Sequence, residues 1–272
     1  MKSTSQPTSW DFREPDELLM GDSYQKDGYI IENADQRYLG LMRDAIEEAY
    51  LQYIHTRGLV RTSLENAHRT ISNSESNNLR LFVMQKLFEG TAFHRSYYNC
   101  AKHIIHNLCG NELAMQKRPG LSINLSRNPN DILPIHADTW NGVSPFELNI
   151  WIPFVDCNDS MCLYILKRDA YHTRLAETTA LLRLSSDDLF DELSDDLTWI
   201  HIKYGQVLAF DQSLPHGYTL NKENVTHWST NCRFKGLHTP YWDKKLGEYF
   251  MPITVKNCTR LGMSYKHPEN WI

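Results

Sequence analysis

Two histidines and one aspartate, which are residue types that bind transition metals, lie in two segments of the sequence. His136 and Asp138 lie two residues apart within the segment 134–140. If that segment is extended, residues i and i+2 point to the same side, and an imidazole and a carboxylate converge on one point. His216 follows the apolar run 205–210, which begins with glycine and predicts a strand. These three residues are therefore the candidate metal ligands and the candidate catalytic residues.

Two histidines and one carboxylate on one side of a metal leave three coordination positions open. This arrangement is typical of non-haem Fe(II) oxygenases, in which a co-substrate and O₂ need those positions. An isolated H-x-D pair is a weak signal, because a chain with 12 histidines produces such matches by chance. The strand that leads to His216 and the basic strand after it strengthen the interpretation.

The basic strand is predicted at 227–235. By period two, Ser229, Asn231 and Arg233 share one face of this strand. An arginine on an interior face needs an anion, because an unpaired buried charge is costly. Its guanidinium can hold a carboxylate with two parallel hydrogen bonds. The distal carboxylate of 2-oxoglutarate would satisfy Arg233, and a surface or salt-bridged arginine is the alternative.

The order of these motifs resembles that of the Fe(II)/2-oxoglutarate-dependent dioxygenases. The shared features are H-x-D, the pattern G-x-V-L-x-F before His216, and Arg233. The segment 146–156 is similar to the strand that follows H-x-D in the phytanoyl-CoA dioxygenase-like branch. The segment 231–241 resembles oxygenases of bacterial carbohydrate and aminoglycoside gene clusters.

The resemblance covers residues 119–241 and has two departures. Residues 167–172 stand where many relatives carry a turn similar to Pro-Gly-Ser-His. The spacing from His216 to Arg233 is also longer than in many members.

The resemblance implies an α+β protein with a double-stranded β-helix core, jelly-roll or cupin-like, buttressed by N-terminal helices. It implies that His136, Asp138 and His216 bind Fe(II), with 2-oxoglutarate as co-substrate, O₂ as oxidant and Arg233 as the co-substrate clamp. Further candidates for co-substrate binding are Ser229, Asn124 and Asn149. Candidates for substrate binding are Trp140, which has the parity of Asp138, together with Trp151 and Tyr218. Packing or solvent exposure is the alternative for each.

The helices that must support this site are predicted in the first part of the chain. A helix is expected between an N-cap at Asp35 and a stop at Gly58. Its apolar positions recur near helical spacing at Leu39, Leu41, Met42, Ile46, Tyr50 and Tyr53. Further helices are predicted at 64–71, 78–88, 93–108 and 173–193.

Strands are predicted after Pro119, where apolar and polar residues alternate. They are expected at 121–125, 148–154, 161–166, 199–203, 206–210 and 227–237. We expect a single oxygenase domain over 1–272. Within it we predict a polar lead-in at 1–32, a mainly helical part at 33–118, a jelly-roll core at 119–241 and a C-terminal extension at 242–272.

Composition narrows the function classes. The 28 basic and 33 acidic residues give a formal net charge of -5, and no basic block is present, so a nucleic-acid partner is not expected. No run approaches 18 apolar residues and no signal-peptide core stands at the start, so we expect a cytoplasmic protein without a membrane partner. The six cysteines form no C-x-x-C pair, so the sequence gives only weak support to a zinc-ribbon fold.

The expected activity is hydroxylation, or a related oxidation, of a small polar metabolite. Polar residues on the strand faces expected to point inward favour a carbohydrate-like or cyclitol-like substrate; they are Ser122, Asn124, Glu147 and Asn149. One alternative is a cupin-like zinc or manganese isomerase or hydrolase, which would not need Arg233. Another is a non-catalytic sugar-binding jelly roll, which predicts no metal.

Overall fold

The computed structural model describes residues 12–175 and 181–268. Its α-helices are α1 (Pro15–Asp27), α2 (Gln36–Thr56), α3 (Ser76–Leu87), α4 (Ala92–Cys100), α5 (Lys102–Cys109), α6 (Arg168–Ala170), α7 (Ser186–Leu193) and α8 (Asn257–Ser264). Its strands are β1 (Tyr29–Asn33), β2 (Leu113–Gln116), β3 (Gly120–Asn124), β4 (Leu133–His136), β5 (Leu148–Pro153), β6 (Leu163–Leu166), β7 (Leu197–Ile200), β8 (Gln206–Phe210), β9 (His216–Tyr218), β10 (His227–Gly236) and β11 (Phe250–Thr254).

The strands form two antiparallel sheets. The larger has seven strands in the order β1-β8-β5-β10-β2-β11, with β3 also paired to β10. The smaller has four strands in the order β4-β9-β6-β7. Helices and antiparallel sheets are thus combined in one structure, which confirms the predicted α+β class. Within the described residues, no helix has the length and apolarity needed to span a lipid bilayer.

The two faces of β5 are both buried, although only one of them is apolar. Asn149 is 1% exposed, and Glu147 beside the strand is 4% exposed. The polar face of this strand therefore points into the protein, and the solvent-facing alternative does not apply to it. Tyr97 of α4 ties the helical layer to the sheet, since its hydroxyl donates to the carbonyls of Ile150 and Thr230.

Helix α2 begins as predicted, because the Asp35 side chain accepts hydrogen bonds from the backbone N–H groups of Arg37 and Tyr38. Of its predicted apolar face, only Leu41 is exposed.

The helix predicted at 93–108 is divided into α4 and α5. The carbonyl of Cys100 accepts from the N–H of Asp35 instead of continuing the helical ladder. The helix predicted at 64–71 is a 3₁₀ helix, Leu64–Arg69.

The polar lead-in predicted at 1–32 contains a helix and a strand in its described part. Helix α1 starts with Pro15 and a capping box between Glu14 and Glu17. Strand β1 then pairs with β8 at the edge of the larger sheet. A strand of five residues whose partner lies some 180 positions away leaves little local signal. Residues 1–11 fall outside the described part of the chain.

The other predicted segments also gain strands. Strand β2 lies inside the part predicted to be helical, and β11 lies inside the predicted C-terminal extension; the two pair with each other. The helix predicted at 173–193 is represented by the end of a π-helix, Tyr171–Leu175, and by α7. Residues 176–180 of that prediction lie outside the described residues.

Strands β3 and β4 follow each other in the chain but do not pair. β3 pairs with β10 and β4 with β9, so a gap separates the two sheets at this edge. We call this gap the β3–β4 seam. A cavity of about 370 Å³ occupies the seam, and α3 borders it through Ser76, Asn77 and Arg80.

Candidate metal centre

The predicted triad meets between the two sheets. His136 is the last residue of β4, His216 is the first of β9, and the two are register partners in this antiparallel pair. Asp138 follows two residues after His136, at the start of a 3₁₀ turn, Asp138–Asn141. One possible ligand atom from each residue lies within 4.8 Å of the others, and no other such group was found in residues 12–175 and 181–268.

Both imidazoles are oriented by the backbone. His136 Nδ1 lies 2.9 Å from the carbonyl oxygen of Pro134, and His216 Nδ1 lies 2.8 Å from that of Leu214. A carbonyl oxygen only accepts, so each Nδ1 carries the hydrogen and each Nε2 holds a free lone pair. His136 Nε2 is 3.7 Å from Asp138 Oδ1. The two nitrogen lone pairs and one carboxylate oxygen are therefore available to a single ion.

The charge states of His216 and Asp138 suit a metal. Burial lowers the pKa of His216 to about 4, so this imidazole is neutral near pH 7. Burial alone would raise the pKa of Asp138. The adjacent His136 and the charge of Arg233 outweigh this effect and hold the pKa of Asp138 well below its usual range. A neutral imidazole and an ionised carboxylate are the forms that bind metal ions.

Arg233 points into the interior, as predicted, but it already holds an anion from the protein. Its Nη2 is 2.6 Å from Asp138 Oδ2, and its Nε is 3.2 Å from the same oxygen. Nε also donates to Gln212, and Nη1 donates to Gln116 and Tyr249. Four of the five N–H groups of the guanidinium are thus engaged, and one on Nη2 is left. A two-pronged clamp on a second carboxylate needs two, so the predicted clamp role lacks its donors here.

Gln212 holds Asp138 and Arg233 in place through its backbone and its side chain. Its backbone carbonyl accepts from the N–H of Asp138 at 3.0 Å, and its side-chain oxygen accepts from Arg233 Nε at 2.8 Å. Its amide nitrogen donates to Glu147 Oε2 at 3.1 Å. These contacts hold Asp138 with Oδ2 toward Arg233 and Oδ1 toward the histidines. Gln212 lies in the link before His216, and no local pattern in the sequence predicted its role.

A cavity of about 260 Å³ opens beside the triad. Its other polar lining residues are Arg80, Ser122, Asn149, Trp151, Tyr218, Asn231 and Arg233. In this wall, the side-chain oxygen Oδ1 of Asn149 is buried and has no hydrogen-bond partner. A buried acceptor without a partner is costly unless a bound group or water satisfies it. The cavity wall therefore suits a polar ligand next to the metal ligands.

The remaining predicted residues divide between positions in this cavity and positions outside it. Asn149, Trp151 and Tyr218 line it, and Trp151 Nε1 donates to the Tyr218 hydroxyl at 2.5 Å. Asn124 lines the seam cavity instead. Ser229 is fully buried, and its hydroxyl lies 2.8 Å from His227 Nε2 without lining either cavity.

Trp140 is not among the residues that line the two cavities. It was grouped with Asp138 because alternate residues of a strand share a face. The chain leaves the extended conformation at Asp138 and enters a 3₁₀ turn, so the parity no longer applies. The Trp140 side chain is 40% exposed.

No protein-family model and no curated protein matches the sequence. Solved structures do match over most of the chain. The non-haem monooxygenase ThoJ has a TM-score of 0.56 at 12% identity, covering 88% of this chain and 84% of its own. The non-haem α-ketoglutarate-dependent carbocyclase SnoK from nogalamycin biosynthesis has a TM-score of 0.51 at 14% identity, covering 92% of this chain and 100% of its own.

A third similar structure is EctD from S. alaskensis, which was solved with 2-oxoglutarate and 5-hydroxyectoine. It has a TM-score of 0.51 at 14% identity, covering 86% of this chain and 80% of its own. At sequence identities this low, the structural similarity establishes a common fold and nothing beyond it. The chain therefore has the fold of these non-haem oxygenases, as the order of its sequence motifs predicted.

Proposed function

We propose that this protein is a non-haem Fe(II)- and 2-oxoglutarate-dependent oxygenase that oxidises a small polar molecule. The observation that carries the proposal is the triad of two backbone-oriented histidines and one ionised aspartate beside an interior cavity. Such a triad occupies one side of an ion and leaves the other side open. The fold shared with ThoJ, SnoK and EctD supports the same conclusion.

We infer that the core is a double-stranded β-helix, as the sequence resemblance implied. The strands from β3 to β10 number eight, the number in a jelly roll. Successive strands fall in alternate sheets, except that β6 and β7 are neighbours in the smaller one. On this arrangement β4 and β9 carry the metal ligands, while β5 and β10 form the opposite wall. We also keep the prediction of one oxygenase domain, now with β1, β2 and β11 widening its larger sheet.

In this proposal Nε2 of each histidine and Oδ1 of Asp138 would hold Fe(II), which, together with 2-oxoglutarate and O₂, would supply the power to oxidise an unactivated C–H bond. The protein fixes the direction of each ligand atom. Arg233 donates to Oδ2 of Asp138 and leaves Oδ1 as the oxygen that could bind the ion. The buried walls of the cavity limit the access of water to the open side.

The test is the visible absorption band that Fe(II) and 2-oxoglutarate give together in the absence of O₂. We expect the wild-type protein to give this band and the His136→Ala variant to lose it. His103→Ala, which changes an exposed histidine of α5, is the matched control and should keep it. An unchanged band in His136→Ala would contradict the ligand assignment. A protein that binds zinc or manganese and gives no band would favour the isomerase or hydrolase.

We further propose that the substrate is rich in hydroxyl groups, such as a sugar or cyclitol derivative. Support comes from the hydroxyl and amide groups of Ser122, Asn149 and Asn231 in the cavity wall, and from the adjacent ring of Trp151. Glu147, also predicted to face the substrate, instead accepts from Gln212.

A substrate panel tests this class. We expect succinate release above the uncoupled background with sugars, cyclitols or aminoglycoside precursors. Product mass then identifies the reaction, through a gain of one oxygen or a loss of two hydrogens. Coupled turnover confined to fatty acids or acyl-CoA esters would contradict the proposed class.

A further inference from the structure

We propose that Arg80, on helix α3, binds the distal carboxylate of 2-oxoglutarate. This inference rests on the proposed function and adds a residue from the helical layer to the site. It concerns the end of the co-substrate that lies away from the metal ligands. Arg233, the cation expected there from the sequence, is engaged with Asp138.

A dicarboxylate in this cavity needs a positive charge at its far end. If its keto acid end faces the triad, the second carboxylate enters the cavity, where an unpaired charge is strongly disfavoured. Among the described residues that line the cavity, the arginines are Arg80 and Arg233, and no lysine is present. Arg233 has one N–H left, so Arg80 is the cation with capacity for a new anion.

Arg80 has no acidic side chain in direct contact among the described residues, although its charge acts on nearby Asp131. No ion pair involves it, and its one side-chain hydrogen bond is from Nη2 to Asn77 Oδ1 at 2.6 Å. Asp131 lies in the same seam cavity, but its oxygens accept from Ser76, Asn128 and the backbone of Leu125. An arginine with unoccupied donors at the wall of two cavities is a ready partner for a carboxylate.

Neutral donors stand at the same place. Ser122 and Tyr218 line both the metal cavity and the seam cavity, as Arg80 does. The Tyr218 oxygen accepts from Trp151 Nε1 and also interacts with the hydroxyls of Ser122 and Ser229, and a hydroxyl hydrogen can turn toward a bound acceptor. A guanidinium and two hydroxyl groups that line the same cavity match the needs of a carboxylate, which has two oxygens and accepts several hydrogen bonds. The position at the shared wall places the anion at the β3–β4 seam.

The experiment compares two keto acids on the Ni(II)-loaded protein by titration calorimetry. One is 2-oxoglutarate, and the other is 2-oxopentanoate, which has the same carbon chain but no distal carboxylate. We expect the wild type to prefer 2-oxoglutarate by about thirty-fold or more, in keeping with hydrogen bonds to a charged group. Arg80→Gln should lose this preference while binding 2-oxopentanoate and Ni(II) as before. Arg80→Lys should keep part of it.

Arg61→Gln, which changes an exposed arginine outside both cavities, is the matched control, and thermal unfolding checks that each variant is folded. Preference retained in Arg80→Gln but lost in Arg233→Gln would overturn the inference and return the clamp to Arg233. Normal 2-oxoglutarate binding by Arg80→Gln with weakened binding of an anionic substrate would overturn it as well. Binding of neither keto acid by the wild type would remove the proposed function itself, and this inference with it.

Discussion

The Asp138→Ala variant is expected to lose metal binding and to unfold more easily than the wild type. Metal affinity should fall by more than about 100-fold, because even partners that only support a ligand typically change it 10- to 100-fold. The metal-free protein should lose about 3 kcal/mol of unfolding free energy, since Arg233, with 13% of its side chain exposed, would keep its charge without its anion. Metal titration and urea unfolding measure the two effects.

The double variant Asp138→Ala/Arg233→Met separates these causes. Removing the guanidinium as well should restore part of the stability and none of the metal affinity. A single variant as stable as the wild type would show that Gln116, Gln212 and Tyr249 suffice to satisfy Arg233. In that case the Asp138–Arg233 ion pair contributes little to folding.

The Gly217→Ala variant is expected to be destabilised by about 1–3 kcal/mol, the usual cost of forcing atoms into a packed site. An added Cβ would lie 2.5 Å from the carbonyl oxygen of Leu133 and 2.4 Å from the Tyr164 hydroxyl. The backbone contact cannot turn away, so β4 and β9 would have to separate. Because these strands carry His136 and His216, metal affinity should fall too.

Gly262→Ala in α8 is the matched control, because nothing lies within 4 Å of the added Cβ. It should leave metal affinity unchanged and should leave stability unchanged or raise it by up to about 1 kcal/mol, because alanine favours a helix more than glycine does. Urea unfolding and metal titration of both variants are the measurements. Equal stability of the two variants would mean that the strand pair adjusts at no cost.

The convergence of His136, Asp138 and His216 could be predicted because its signals are local. His136 and Asp138 share a face by the period of a strand, and His216 follows an apolar strand that the sequence marks clearly. The same alternation led to a wrong position for Trp140, because alternate residues share a face only while the chain stays extended. Asp138 is the residue at which the chain leaves that conformation.

The partner of Arg233 could not be predicted, for a different physical reason. The sequence indicated that an interior arginine needs an anion, and this was correct. Which anion it meets depends on how the two sheets pack, which brings together residues 95 positions apart, and no local pattern records that packing. For a similar reason β1 was missed, since its pairing with β8 joins segments still farther apart in the chain. Periodicity predicts the face of a strand on which a side chain lies. The residue that it contacts there depends on how the sheets assemble.

The hydrogen bonds that orient His136 and His216 have a consequence for mutational robustness. In many metal sites the second imidazole nitrogen is held by a carboxylate side chain, which one substitution can delete. Here the acceptors are the main-chain carbonyls of Pro134 and Leu214, two residues before each histidine. No side-chain replacement at either position removes an acceptor. These two hydrogen bonds are therefore lost only when the backbone of β4, or of the link before β9, moves. Side-chain substitutions at Pro134 and Leu214 leave both acceptors in place.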